Sequence, residues 1–331
     1  MLRKFWFSLL AIFTLILFSA CGQEGSGPAD VSEEVEVNET SEQAEGESTL
    51  QTEYPLTITD ASGEEITFEK VPEKIVSTSP SETEILFALG LDDKIVGVSD
   101  YDDYPEEALE KPKVGGVVEP NVEAIIEASP DVVIGGISMS DDVVDKLRGY
   151  DLQLYKTDAN TIDEALENIL QMGVITNSQE AAEKLVADMK DVIQSVEDTV
   201  ANVSDEEKKK VYIEYNPGWT VGKGEFMNEL IEIAGGVNVA ADTEGWVEVN
   251  EEKIIQDNPD VIIYSANIVD EDSGKQLGEL IKDRSGWDKI TAVEEDQMIA
   301  IHESVMSRIG PRLTDALQQI AEGIYPELFE Q

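Results

Sequence analysis

Of the 71 acidic side chains in this chain, two are singled out by position. Residues 121–134 read NVEAIIEASPDVVI and residues 250–263 read NEEKIIQDNPDVII, with eight identities in fourteen positions at an offset of 129. Each copy has an Asn suited to cap a helix, a Glu in the first turn, an Ile-Ile pair, a Pro-Asp break and a β-branched run. Glu123 and Glu252 therefore occupy equivalent points on two equivalent units. The helix dipole alone favours a carboxylate there, by a few tenths to about 1 kcal/mol. A symmetric pair of charges is also suited to steering and registering a basic partner.

Other residues with chemical potential are few. Tyr101, Trp219 and Trp246 offer flat apolar faces to a large ligand, or else pack in cores. Arg308 and Arg312 are two of five arginines and suit either an anionic ligand group or a structural ion pair. His302 is the only histidine, at the end of a candidate strand over 297–301, where it could meet a metal centre or simply hydrogen-bond. One His and one Cys do not make a site for free zinc or manganese, so no resident metal is expected. Nucleophile-elbow and phosphate-loop motifs are missing, and no catalytic residue is assigned. Carboxylates are abundant enough that an extracellular hydrolase using an acidic pair stands as the enzyme alternative, and a surface adhesion protein as a third.

The elements that must position these residues alternate between short apolar runs and helical stretches. Candidate strands over 95–98, 131–134, 152–155, 211–215, 260–264 and 297–301 lack strict alternation, as in parallel sheets covered on both faces. A hairpin is expected around the turn residues 60–63. Ser79, Pro80 and Glu82 read as the capped start of a helix ending at Gly90, with 229–235 as its counterpart in the second unit. Residues 178–200 carry Ala182, Leu185, Val186, Met189, Val192, Ile193 and Val196 at helical spacing without Gly or Pro. One helix of that length spans roughly 30 Å at 1.5 Å per residue and would let two lobes rock only slightly. The expected fold is α/β, with two similar lobes, mainly parallel central sheets, one long joining helix and a ligand cleft between the lobes. The boundaries are an N-terminal lobe over 54–175, the joining helix over 176–202 and a C-terminal lobe over 203–331.

The chain start is different. Arg3 and Lys4 precede an apolar run over 5–18 and the sequence SACG at 19–22, the layout of a secretory signal over 1–20 and too short for a comfortable span. Residues 22–53 hold ten acidic residues and no Lys or Arg, a composition unable to offset its ordering entropy, so 21–53 reads as a flexible tether. A net charge of −48 argues against phosphate-backbone contacts and hence against nucleic acid. It also fits an extracellular habitat of high salt or alkaline pH.

The signal with Cys21, the segments 75–90, 96–105, 114–134, 219–238 and 246–263, and the joining helix together resemble the substrate-binding lipoproteins of ABC importers for cobalamin and iron complexes. SDYDDYP at 99–105 and Asn121-Val122-Glu123 are most similar to the cobalamin-binding members. The resemblance implies that Cys21 carries lipid and holds the protein at the outer face of a bacterial cell membrane, the anchor being its only membrane contact. It implies that Glu123 and Glu252 meet arginines of the permease, and that Tyr101, Trp219, Trp246, Arg308 and His302 line the ligand cleft. The partners implied are an ABC permease with its ATPase and a corrinoid, or alternatively a ferric siderophore or haem. The protein would be a monomer without a cofactor of its own, the cobalt or iron arriving inside the ligand. Val117 and Gly136 stand where the cobalamin-binding members have cleft tryptophans, which keeps the iron complexes in view.

Overall fold

The computed structural model describes residues 50–329. Cys21, the signal-like segment and the tether up to residue 49 lie outside the described residues. Thr52 is already fixed to the body, its amide donating to the Asn177 side chain at 2.8 Å and its hydroxyl to the Val174 carbonyl at 2.6 Å. Thr52 is thus part of the body, its hydroxyl and amide finding partners at Val174 and Asn177.

Two strands, β1 (Leu56–Thr59) and β2 (Glu65–Phe68), form the expected antiparallel hairpin. The chain then runs through β3 (Ile75–Ser77), α1 (Pro80–Ala88), β4 (Ile95–Gly97), α2 (Val122–Ala128), β5 (Val132–Gly135), α3 (Asp141–Arg148) and β6 (Leu154–Lys156). The four strands β3 to β6 make a parallel sheet of order β4-β3-β5-β6. Next come α4 (Ile162–Thr176) and α5 (Gln179–Val200), antiparallel neighbours joined by Asn177 in the left-handed conformation. They approach so closely that a Cβ on Gly173 would lie 2.5 Å from that of Ala182, so only glycine fits there.

Beyond α5 lie β7 (Lys210–Glu214), β8 (Trp219–Val221), α6 (Phe226–Ile233), β9 (Val237–Asn238), β10 (Trp246–Glu248), α7 (Glu251–Asp257), β11 (Val261–Ser265), α8 (Leu277–Asp283), α9 (Thr291–Glu294), β12 (Met298–Ile301), α10 (Glu303–Met306), α11 (Leu313–Ile324) and α12 (Pro326–Phe329). Here β12-β11-β7-β9 form a second parallel sheet. In both lobes the first strand lies between the second and third, with the fourth outermost beside the third. The two lobes therefore share one topology.

The sequence repeat is explained by this topology. Asn121 caps α2 by accepting from the Glu123 and Ala124 amides, and Asn250 caps α7 by accepting from that of Lys253. Both helices end on a left-handed residue, Ser129 or Asn258. The repeated Asp then ties the next strand to the central one. Asp131 donates its amide to the Lys74 carbonyl and accepts the Lys74 amide on its carboxylate, and Asp260 does the same with Lys210.

Alternation along β5 and β11 gives each sheet two apolar faces. Val132, Ile134, Val261 and Ile263 turn to a single cluster that also contains Met189 of α5 and Leu317 of α11. Val133 and Ile262 face separate outer clusters, one per lobe. The lobes are thus joined through a continuous apolar core as well as by α5, and the body is one compact unit.

One buried ion pair crosses the outer core of the second lobe. Glu214 at the end of β7 is fully buried and takes both guanidinium nitrogens of Arg284, at 2.6 and 2.5 Å, with further donation from Tyr212 and the Gly218 amide. Replacing Arg284 with Met strands that carboxylate and is expected to cost about 3–5 kcal/mol, most of it recovered in the double variant Glu214→Met/Arg284→Met. Urea-unfolding midpoints at constant slope measure this, and an unperturbed single variant would refute it.

Candidate functional site

A cavity of 710 Å³ opens where the two lobes meet. Ser79, Tyr101, Val117, Ile137 and Asn160 line it from the first lobe, and Tyr215, Glu225, Trp246, Glu303 and Arg308 from the second. Its position follows from the parallel sheets. Ser79 follows β3, Ile137 follows β5, Tyr215 follows β7 and Glu303 follows β12, so loops at the carboxyl ends of both sets of strands converge there. A second depression of 640 Å³ beside the end of α5 is lined mainly by charged and polar residues such as Glu206, Lys208 and Asp260. It touches neither sheet's carboxyl edge and has no convergent aromatic pair, so the inter-lobe cavity is the candidate site.

The second-lobe wall is built on an unexpected ribbon. Strands β8 and β10 pair antiparallel with Trp246 opposite Val221 and Glu248 opposite Trp219. That register puts Trp219 and Trp246 on one face of the ribbon. Trp246 meets the Tyr215 ring edge-on, with centroids 5.4 Å apart, and the Tyr215 hydroxyl donates to Glu303 at 2.6 Å. Burial, and then the hydrogen bond and charge of Glu303, push the Tyr215 pKa up. Burial also raises that of Glu225, opposed by a hydrogen bond from Trp246.

Arg308 and Arg312 do not wait for a ligand. Arg308 donates to Glu84 of α1 at 2.8 Å, to Asp103 at 2.6 Å and to the Tyr101 carbonyl at 3.0 Å. Arg312 grips the same Glu84 with two nitrogens, at 2.9 and 2.6 Å, and lies 4.2 Å from the centre of the Tyr104 ring. Glu84 is 3% exposed and Arg308 8% exposed, so this is a buried clamp from the second lobe onto the first. A second carboxylate crosses the other way: Glu229 of α6 accepts the Ile162 amide at the start of α4, at 2.7 Å. Glu84 and Glu229 occupy matching places in the two helices, each six residues before the glycine that follows, Gly90 or Gly235.

Of the five expected cleft residues, Tyr101, Trp246 and Arg308 line the cavity. Trp219 does not; it is 42% exposed and continues the ribbon outward. His302 is not among the lining residues either. It is exposed and caps α10, its Nδ1 accepting from the Ser304 amide at 3.3 Å, while the neighbouring Glu303 lines the cavity. The expected capping box at Ser79 is not formed either. Glu82 turns inward to accept from Thr157 at 2.6 Å, and burial pushes its pKa up. Sequence reasoning missed Tyr215, Glu225 and Glu303, whose spacing carries no motif, and the partners of Arg308, which lie more than 200 residues away. Among the described residues no group of three or more His, Cys, Asp or Glu could hold a metal ion. Glu123 and Glu252 are both exposed, in the first turns of α2 and α7.

Residues 75–305 match the family model described as periplasmic binding protein, and the chain belongs to that family. It is 33% identical over 334 residues to an uncharacterised ABC transporter substrate-binding lipoprotein, YvrC, of Bacillus subtilis, covering 98% of each chain. It is 30% identical over 251 residues to a vitamin B12-binding protein of Vibrio cholerae, covering 75% of this chain and 87% of that one. Among solved structures, that of an ABC-type Fe3+-hydroxamate transport system from Saccharomonospora viridis is 25% identical with a TM-score of 0.66, covering 82% of this chain and 99% of that one. No helix of the described residues is long and apolar enough to cross a membrane.

Glu84→Ala leaves two guanidinium groups facing each other without their shared carboxylate. The expected cost is about 3–5 kcal/mol, together with a broadened distance between spin labels placed one on each lobe. An unchanged melting curve and an unchanged distance distribution would show that the clamp does not hold the lobes.

Proposed function

We propose that this protein is a lipid-anchored, extracytoplasmic substrate-binding protein that captures a corrinoid between its lobes and delivers it to an ABC importer. The observation that carries this reading is the 710 Å³ inter-lobe cavity with its Tyr215–Trp246 wall facing Tyr101. A cavity of that kind suits a large, partly flat ligand that needs aromatic faces and a few fixed polar groups. The similarity to the vitamin B12-binding protein and to the ABC transporter substrate-binding lipoprotein supports it. Cys21 is the lipidation site in this reading. A ferric siderophore or haem is the second reading, favoured by the aliphatic Val117 and Ile137 on the first-lobe side. In this role the protein binds and releases without turnover; a hydrolase using Glu225 and Glu303 is the enzyme alternative.

Delivery assigns Glu123 and Glu252 to the permease. Helices α2 and α7 run back across their sheets, so their first turns lie at the strands' carboxyl edges, on the cavity side of each lobe. Exposed carboxylates there flank the cavity mouth and can engage basic residues of a membrane partner. Tryptophan quenching with cyanocobalamin, haem and a ferric hydroxamate, run in parallel, tests the ligand; cyanocobalamin is expected to bind most tightly, and no quenching by any of them would defeat the binding-protein reading. Glu123→Ala/Glu252→Ala is expected to abolish uptake into cells while ligand affinity stays within about twofold, since neither residue lines the cavity. Unchanged uptake would remove both residues from docking.

A further inference from the structure

The charges lining the cavity do not balance. Its charged lining residues are Asp103, Glu225, Glu303 and Arg308. Arg308 is already shared between Asp103 and Glu84, and Glu84 is shared in turn with Arg312. Those two carboxylates and two guanidinium groups cancel within the clamp. Arg308 therefore faces the cavity with its charge balanced inside the clamp and three of its five N–H donors given to Glu84, Asp103 and the Tyr101 carbonyl.

Glu225 and Glu303 have no such partner. Glu303 receives only neutral donors, the Tyr215 hydroxyl at 2.6 Å and the Ser307 hydroxyl at 3.0 Å. Glu225 lines the cavity together with Trp246, and neither Glu225 nor Glu303 has a basic side chain in salt-bridge range among the described residues. The first turn of α1 also opens toward the cavity, which would favour a negative ligand group, and it carries an acid of its own, Glu82.

From these contacts we infer that Glu225 and Glu303 set the charge selectivity of the cavity, which accepts neutral or cationic chelates rich in N–H donors and rejects anionic ones. The inference rests on the binding-protein reading, but not on the corrinoid as ligand. An amide-edged macrocycle offers N–H donors to both carboxylates beside the Trp246 and Tyr215 rings. A free carboxylate on the ligand meets two unpaired like charges in a partly closed, low-dielectric space, where such a juxtaposition is strongly unfavourable.

Two charge series test this with the full chain at pH 7.5. The corrinoid series is cyanocobalamin against its derivative with one peripheral amide hydrolysed to a carboxylate. The hydroxamate series is ferrioxamine B, with its free ammonium, against its N-acetyl and N-succinyl forms. Affinities are read by tryptophan quenching in low and high salt. In each series that binds, the anionic member is expected to bind at least about tenfold more weakly than the neutral one. The gap should narrow in 0.5 M salt, the concentration chosen for screening, and in Glu225→Gln/Glu303→Gln, whose amide oxygen at 303 can still accept from Tyr215.

Circular dichroism melting of the double variant establishes that it is folded. Equal affinity within a series, or a gap unchanged in the folded double variant, overturns the charge selection and leaves the ligand class standing. Failure of both corrinoids alongside an ordered hydroxamate series overturns the corrinoid assignment and leaves the charge selection standing.

Discussion

Two helix-borne carboxylates cross the boundary between the lobes in opposite directions, and the cavity depends on them. Glu84 leaves α1 to meet Arg308 and Arg312, and Glu229 leaves α6 to meet the start of α4. Both come from the helix that follows the first strand of a lobe, so the internal symmetry of the chain appears again in its joint. The partners differ: one glutamate holds two guanidinium groups, the other a backbone amide at a helix start. With α5 and the shared apolar core, these contacts fix where the two sets of strand-end loops face each other. A buried ion cluster of this kind is a weak source of stability but a strong constraint on geometry, because any displacement leaves a charge unpaired in a dry place.

That constraint also decides the chemistry of the cavity. An arginine in the wall of a binding cleft would ordinarily suit anionic ligands. Here the guanidinium group of Arg308 completes the inter-lobe clamp, and the acids that remain are Glu225 and Glu303, the latter supported by two hydroxyls. The excess negative charge of the chain is therefore expressed at the one place where a ligand must be desolvated. Glu123 and Glu252 keep defined positions within that excess charge because their helices are capped by Asn121 and Asn250.

Much of the fold was legible along the chain. Buried parallel strands read as short β-branched runs, and α5 followed from the spacing of Ala182, Val186, Met189 and Val196. The repeat at 121–134 and 250–263 was visible because the same local tasks recur: capping a helix, ending it on a left-handed residue and pinning the next strand with an Asp. The site was less legible. Tyr101 and Trp246 line the inter-lobe cavity, whereas Trp219 extends the ribbon outward and His302 caps a helix. Glu225 and Glu303 bear no sequence mark that separates them from the other acids, since a carboxylate gains its role from what surrounds it.

The sequence by itself determined the two lobes, their parallel sheets and the long helix, because these rest on periodicity, capping and composition within short windows. Only the tertiary structure decided which side chains face the cavity and which charges reach it unpaired. Those outcomes depend on contacts such as Glu84 with Arg308, 224 residues apart in the chain. No local pattern encodes such a meeting; it exists only once both sheets have been packed against one core.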